Sequence, residues 1–259
     1  LEKKIIEKFQ RLNSARPLPE SAVKKLKEKF EVDMTYNSNA IEGNRLTLRE
    51  TWLVLRKGIT IGGKTMEEHL EAKNHLEAIM HLYELAKARR KITEKDILEL
   101  HRLVLSKVDE DIAGKYRTKQ VYIEGAVHVP PPPNKVPRLR TNLQKFGLFG
   151  NYQIYDTMKR VLFYINKKDK GIDAIKTASK IHHMITWIHP FVDGNGRVAR
   201  LLLNLKLVRA GFPPIVLRKG ERKAYYSALK KADEGDLYPI TTMIAANVDR
   251  SLDLWLSVI

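Results

Sequence analysis

Cysteine is absent from this 259-residue chain. Disulfides and thiolate metal sites are therefore excluded, and the composition suits a reducing compartment. No stretch reaches the ~18–20 uninterrupted apolar residues of a membrane span, and no secretory signal is visible. These absences lead us to expect a cytoplasmic protein. The chain begins at Leu1 rather than Met, so anything upstream falls outside that expectation. Acidic residues are outnumbered 30 to 47 by Lys and Arg, for a formal net charge of +17. Such a surplus admits nucleic-acid binding. The basic residues are dispersed, however (Lys24, Lys25, Lys27, Lys29; Arg89 to Lys91; Lys167, Lys168, Lys170), and do not interleave with aromatics as in single-strand binders. A lysine-rich solvated surface that favours polyanionic ligands is the better account. This reading does not favour nucleic acid as a partner.

What the chain does have is helical periodicity almost throughout. Leu1 to Leu12 is amphipathic and is interrupted by Arg16-Pro17-Leu18-Pro19. A second helix is expected from Ser21 towards Met34. Thr47 with Glu50 and Thr65 with Glu68 form capping-box patterns, and Thr93 caps a helix carrying Ile97, Leu100, Val104 and Leu105. One segment reads as β: Lys119 to Ile123 and Ala126 to Val129 flank Glu124-Gly125 as a small hairpin, closed by Pro130 to Pro133. Helices are expected to resume near Val136 and around Tyr152 to Ile165. Ile175, Ala178, His182, Ile185 and His189 share one helical face. Val198, Leu201, Leu202, Leu205 and Val208 mark a buried helix, and two more follow near 222–232 and 238–256. The fold class is thus mostly α with a small β-hairpin.

Gly58 to Thr65 literally satisfies the phosphate-loop pattern G-x-x-x-x-G-K-S/T. The segment before it reads as a capped helix rather than a strand. We expect an inter-helix loop with Thr65 as N-cap.

The densest chemistry lies in His189-Pro190-Phe191-Val192-Asp193-Gly194-Asn195-Gly196-Arg197-Val198-Ala199-Arg200. Gly194 and Gly196 permit tight backbone geometry, with N–H groups free to face an anion at a helix start. Asn195 adds a neutral donor. Arg197 and Arg200, three apart, share a helical face and suit separate phosphates. Asp193 is a hard oxygen ligand, and His189 is the side chain best able to take a proton near neutral pH. Phe191 should anchor the loop in the core.

This stretch matches the motif H-P-F-x-D/E-G-N-G-R-x-x-R, and the chain resembles the Fic family from about Thr93 to Ala245. The resemblance implies a Fic-type helical bundle, a hairpin flap, and transfer of AMP from ATP to a Ser, Thr or Tyr hydroxyl of a target protein, with Mg²⁺. His189 would be the base. Asp193 would hold Mg²⁺, the Gly194 to Gly196 amides with Asn195 would stabilise phosphate charge, and Arg197 and Arg200 would bind the outer phosphates. Val121, Tyr122 and Ile123 would form the flap edge on which the target docks. Tyr225, Tyr226 and Asp233 would line the base and ribose pocket, although relatives often carry Asn at the last position. Transfer of another phosphate-containing group, and a basic nucleic-acid-binding regulator, stay open as alternatives.

Upstream, Ser38-Asn39-Ala40-Ile41-Glu42-Gly43-Asn44 resembles the family's inhibitory motif S/T-x-x-x-E-G/N. By itself it reads as a helix end with Gly43 as cap. Together with the loop, it implies that Ser38, Glu42 and Gly43 belong to a restraint in which Glu42 takes Arg200 from the γ-phosphate. The same glutamate serves AMP removal in some relatives. The resemblance further implies a division into an inhibitory region at 1–92, a catalytic core at 93–245 and a helix end at 246–259. Self-modification and homodimerisation accompany it.

Overall fold

The computed structural model describes residues 1–88, 90–123, 128–133 and 157–258. Among the described residues ten α-helices run in order: α1 Glu2–Ser14, α2 Glu20–Ile41, α3 Leu48–Trp52, α4 Met66–Lys87, α5 Glu94–Leu105, α6 Thr157–Asn166, α7 Gly171–Ile188, α8 Asn195–Arg209, α9 Arg222–Asp233 and α10 Tyr238–Leu256. A π-helical turn, Leu53–Lys57, continues α3.

The local signals act as their chemistry dictates. Thr47 Oγ1 accepts from the Glu50 amide while the Glu50 carboxylate accepts from the Thr47 amide. Thr65 and Glu68 do the same at the head of α4. At α5, the Thr93 amide and hydroxyl both donate to Asp96. The Gly58 to Thr65 stretch is an inter-helix loop ending in the Thr65 cap, preceded by helix and not by strand. The helix expected to run from Ser21 towards Met34 extends to Ile41, because a buried face of Phe30, Met34, Ser38 and Ile41 keeps it on the core.

The hairpin is not seen. Residues 119–123 and 128–129 carry no strand pairing, and no strand occurs among the described residues. The turn at Glu124-Gly125 and the helix expected near Val136 lie outside the described residues. Helix α6, Thr157–Asn166, falls in the region of the expected helix, and the expected start at Tyr152 lies outside the described residues. Side-chain bonds, not a ladder, order what is described of this segment. Gln120 Nε2 donates to the Val121 and Pro130 carbonyls.

Helices α7 and α8 form the centre. Helix α8 buries Val198, Ala199, Leu201, Leu202, Leu203, Leu205 and Leu207 together with Arg197, Arg200, Asn204 and Lys206, so it is enclosed on every side. One buried cluster joins it to α4, α5 and α6. A second joins Ile5, Leu12 and Ile41 to α7, α9 and α10. The N-terminal helices therefore share the core of the 189–200 loop. No helix among the described residues is long and apolar enough to cross a membrane.

Candidate active site

Helix α7 ends at His189, whose backbone is left-handed at φ 48 and ψ 60. Pro190 follows and disfavours continued helix at the residue before it. A left-handed non-glycine residue costs on the order of 1–2 kcal/mol and survives only where its surroundings over-determine it. Those surroundings are visible. Phe191 is fully buried and stacks on His101 at 3.7 Å. Its amide donates to Asn195 Oδ1 at 2.9 Å, and Asn195 Nδ2 donates back to its carbonyl at 3.0 Å. The Asn195 carboxamide is thus spent on closing the turn rather than on facing an anion. That corrects the expectation for its side chain and leaves the backbone amides of the helix start for that task.

The His189 ring is half-buried. Its Nδ1 lies 3.3 Å from the Thr186 carbonyl. A carbonyl can only accept, so Nδ1 carries the proton and Nε2 keeps the lone pair. Burial pushes the ring's pKa below the ordinary histidine value, which keeps Nε2 unprotonated near pH 7 and free to accept a proton.

Gly194 adopts φ +77 and brings the loop against His101, which would crowd any Cβ there at 3.3 Å. Helix α8 then starts at Asn195, and its N-terminus is occupied by the protein's own anion. A Cβ on Gly196 would lie 2.2 Å from Glu42 Oε1. That oxygen also accepts from Arg200 Nη2 at 2.6 Å. Ser38 completes the hold: its Oγ and its carbonyl each accept from Arg200 at 2.9 Å. Arg200 is 5% exposed, so the pair is poorly screened on the arginine side. Gly43, at φ +109, ends α2 through amide bonds from Gly43 to Ala40 and from Asn44 to Asn39, a Schellman cap that fixes where Glu42 leaves the helix. The helix-end reading of this motif therefore holds, and the same cap delivers Glu42 to Arg200.

Arg197 is equally occupied. It donates to Glu71 at 2.8 Å and to Asp193 at 2.8 Å. Asp193 remains mostly exposed, with a side chain 64% accessible. Glu71 in turn accepts from Asn44 Nδ2 at 2.8 Å. One carboxylate from the C-cap of α2 and one from α4 thus meet Arg200 and Arg197 of α8.

Tyr225 is buried, with its hydroxyl 2.9 Å from His182 Nε2. Burial pushes the His182 pKa down to about 3, so this histidine packs as a neutral group. Tyr226 is 40% exposed under the Arg222 guanidinium. Asp233 Oδ1 sits 2.9 Å from His183 Nε2. Tyr122 is exposed, and Val121 and Ile123 are half-buried or exposed around it.

Three residues escaped the sequence. Glu71 shows only as one more glutamate on α4. His101 sits on the apolar face of α5. Its Nδ1 accepts from Gly114 at 2.9 Å and its Nε2 donates to the Asp193 carbonyl at 3.0 Å. Arg117 donates to the His189 carbonyl at 2.7 Å. None carries a local motif; each is defined by a partner far along the chain.

A helical core thus sets a histidine turn and two arginines around a glycine-lined helix start, with the Glu42 carboxylate seated against it. The Fic/DOC family model matches residues 91–207. Curated relatives include the protein adenylyltransferase Fic of Drosophila virilis, 37% identical over 91% of this chain and 45% of its own length. That of Drosophila persimilis is 36% identical over 91% and 43%. The chain spans less than half the length of these relatives. Among solved structures, Fic-1 from C. elegans superposes with a TM-score of 0.80 at 31% identity, over 99% of this chain and 72% of that one. A Fic domain containing signaling protein from Bacteroides thetaiotaomicron gives 0.83 at 27%, over 98% and 96%. The chain belongs to the Fic/DOC family.

Proposed function

We propose that this chain is an autoinhibited protein adenylyltransferase, moving AMP from ATP to a Ser, Thr or Tyr hydroxyl of a target protein. The observation that carries the reading is Glu42 Oε1, seated on Arg200 and against Gly196 where a phosphate would sit. A carboxylate is the natural stand-in for a phosphate oxygen at a guanidinium and a helix start.

With Glu42 withdrawn, His189 Nε2 takes the proton of the target hydroxyl, whose oxygen attacks the α-phosphorus as pyrophosphate leaves. The amides at 194–196 face the charge that builds on the phosphate oxygens. Arg197 and Arg200 exchange their carboxylates for the outer phosphates. Asp193 fits a Mg²⁺ ion that arrives with the nucleotide. It is a single exposed carboxylate, and Mg²⁺ keeps most of its waters and takes few protein ligands. No group of three or more candidate ligands occurs among the described residues, which also favours an ion shared with the substrate. Bound there, Mg²⁺ would offset phosphate charge. The segment 121–123, with Tyr122 exposed, is the surface we assign to target docking through its backbone; Tyr226 and Asp233 are assigned to the base pocket. Location in a cytoplasm, self-modification and a homodimer belong to this reading as well.

The test is incubation of wild type, Glu42→Gly and His189→Ala with α-labelled ATP, Mg²⁺ and cell lysate. Label on protein only in the Glu42→Gly lane supports the scheme. Equal label with His189→Ala removes His189 as the base, and no gain with Glu42→Gly removes the restraint.

A further inference from the structure

Arg117 is 2% exposed, yet none of its hydrogen bonds goes to a carboxylate. Its amide donates to the Pro190 carbonyl at 3.0 Å. Its Nε donates to the His189 carbonyl at 2.7 Å, and its Nη2 to the Ile188 carbonyl at 3.4 Å. Two successive carbonyls at the end of α7 therefore face one buried cation, and a third, that of Pro190, holds the Arg117 backbone. That end carries the negative pole of the helix, which compensates the charge. The rest of the guanidinium reaches the other way. Nη1 donates to the Lys119 carbonyl at 3.1 Å, and Nη2 also donates to the Pro131 carbonyl.

We propose that Arg117 is a positioning residue that locks His189 and the 119–131 segment into one register. The fork geometry suits the task, since a rigid planar group with five donors can bridge two backbone segments at once. His189 needs such a restraint, because it is a non-glycine residue at φ 48. A second tie joins the same two segments. His128 Nε2 lies 2.9 Å from the Trp187 carbonyl, and its ring stacks on Trp187 at 4.8 Å. The base is thereby set at a fixed distance from the segment assigned to target docking. A displacement of about 1 Å between reacting groups can cost on the order of 10²-fold in rate, so this register bears on turnover more than on nucleotide affinity.

The role in transfer rests on the adenylyltransferase reading, so the experiment carries a readout that does not. In the full chain with Glu42→Gly, Arg117→Met and Arg117→Lys are compared by labelling rate, by ATP affinity in calorimetry, and by amide hydrogen exchange. Arg117→Met should raise exchange at 119–131 and 188–190 together while α2 stays protected. Its labelling rate at saturating ATP should fall at least about tenfold with ATP affinity nearly unchanged. Arg117→Lys should recover part of that rate, since an ammonium reaches some of the carbonyls but cannot span both segments. Unchanged exchange in either segment overturns the lock, whether or not any labelling is seen. Intact exchange coupling with no label from Glu42→Gly itself indicts the transfer reading instead. A rate loss matched by lost ATP affinity, with no recovery in Arg117→Lys, reduces Arg117 to a structural residue. Should Arg117→Met fail to fold, a full rate in Arg117→Lys overturns the proposal and a partial one upholds it.

Discussion

Gly196 and Glu42 touch so closely that a single methyl could not come between them: a Cβ on Gly196 would stand 2.2 Å from Glu42 Oε1 and 3.1 Å from Arg200 Nη1. The glycine leaves the helix start open to whichever anion holds Arg200. Because the clash is with the tip of a flexible side chain, Gly196→Ala should fold while expelling Glu42. Arg200 would lose an ionic partner, at a cost of about 1–3 kcal/mol, seen as a lower thermal midpoint. The same methyl should exclude phosphate. In calorimetry, ATP affinity should be at least about tenfold weaker, ~1.4 kcal/mol, in Glu42→Gly/Gly196→Ala than in Glu42→Gly. Equal affinities would mean that no phosphate approaches this amide.

Proton uptake by His189 sets an acid limb. Burial lowers its pKa from the ordinary 6.5, and only the neutral ring can act as base. The acid midpoint of labelling by Glu42→Gly should therefore fall below pH 6.5. A pH–rate profile with its acid midpoint above 7 would contradict this assignment.

Stability should also fall with acid, for a separate reason. Burial holds His101 at about 4 and His75 and His182 at about 3, against an ordinary 6.5. The unfolded chain takes up these protons first, so the stability is complete above pH 6.5 and drains as pH falls towards 4 and 3. Each histidine contributes a slope of up to about 1.4 kcal/mol per pH unit in that window. Urea unfolding at several pH values should show it, and His101→Gln should shed one histidine's share. A slope unaltered by that change would show that His101 titrates normally.

Glu71 shares Arg197 with Asp193. Glu71→Gln should leave Asp193 as the sole ionic partner of a guanidinium only 3% exposed, drawing the two together. Mg²⁺ would then compete less well for Asp193. In the Glu42→Gly background, half-maximal labelling should need several-fold more Mg²⁺, with ATP affinity in the absence of metal little changed. An unaltered Mg²⁺ titration would show that Arg197 does not govern Asp193.

Much of this was legible in residue order. The helix sequence, the Thr47, Thr65 and Thr93 caps and the burial of α8 follow from spacing, because backbone hydrogen bonds within a helix and its caps are local. The family motifs were legible for the same reason, being contiguous runs. The hairpin is not shown. Two β-prone runs around Glu124-Gly125 met no pairing in the described residues, and side-chain bonds from Arg117 and Gln120 order the segment where a ladder was expected.

The sequence by itself determined the tools: a histidine before a proline, glycines at a helix start, two arginines on one face, and a glutamate at a glycine-capped helix end. Tertiary packing alone decided their partners. Glu42 meets Arg200 across 158 positions, and Glu71 meets Arg197 across 126. Arg117 reaches the His189 carbonyl across 72. Contacts of such span leave no periodicity behind, because they arise only when apolar burial brings α2, α4 and the 117–131 segment against α7 and α8. Burial also selects the proton states, since the largest cause of each histidine's lowered pKa is the water it loses.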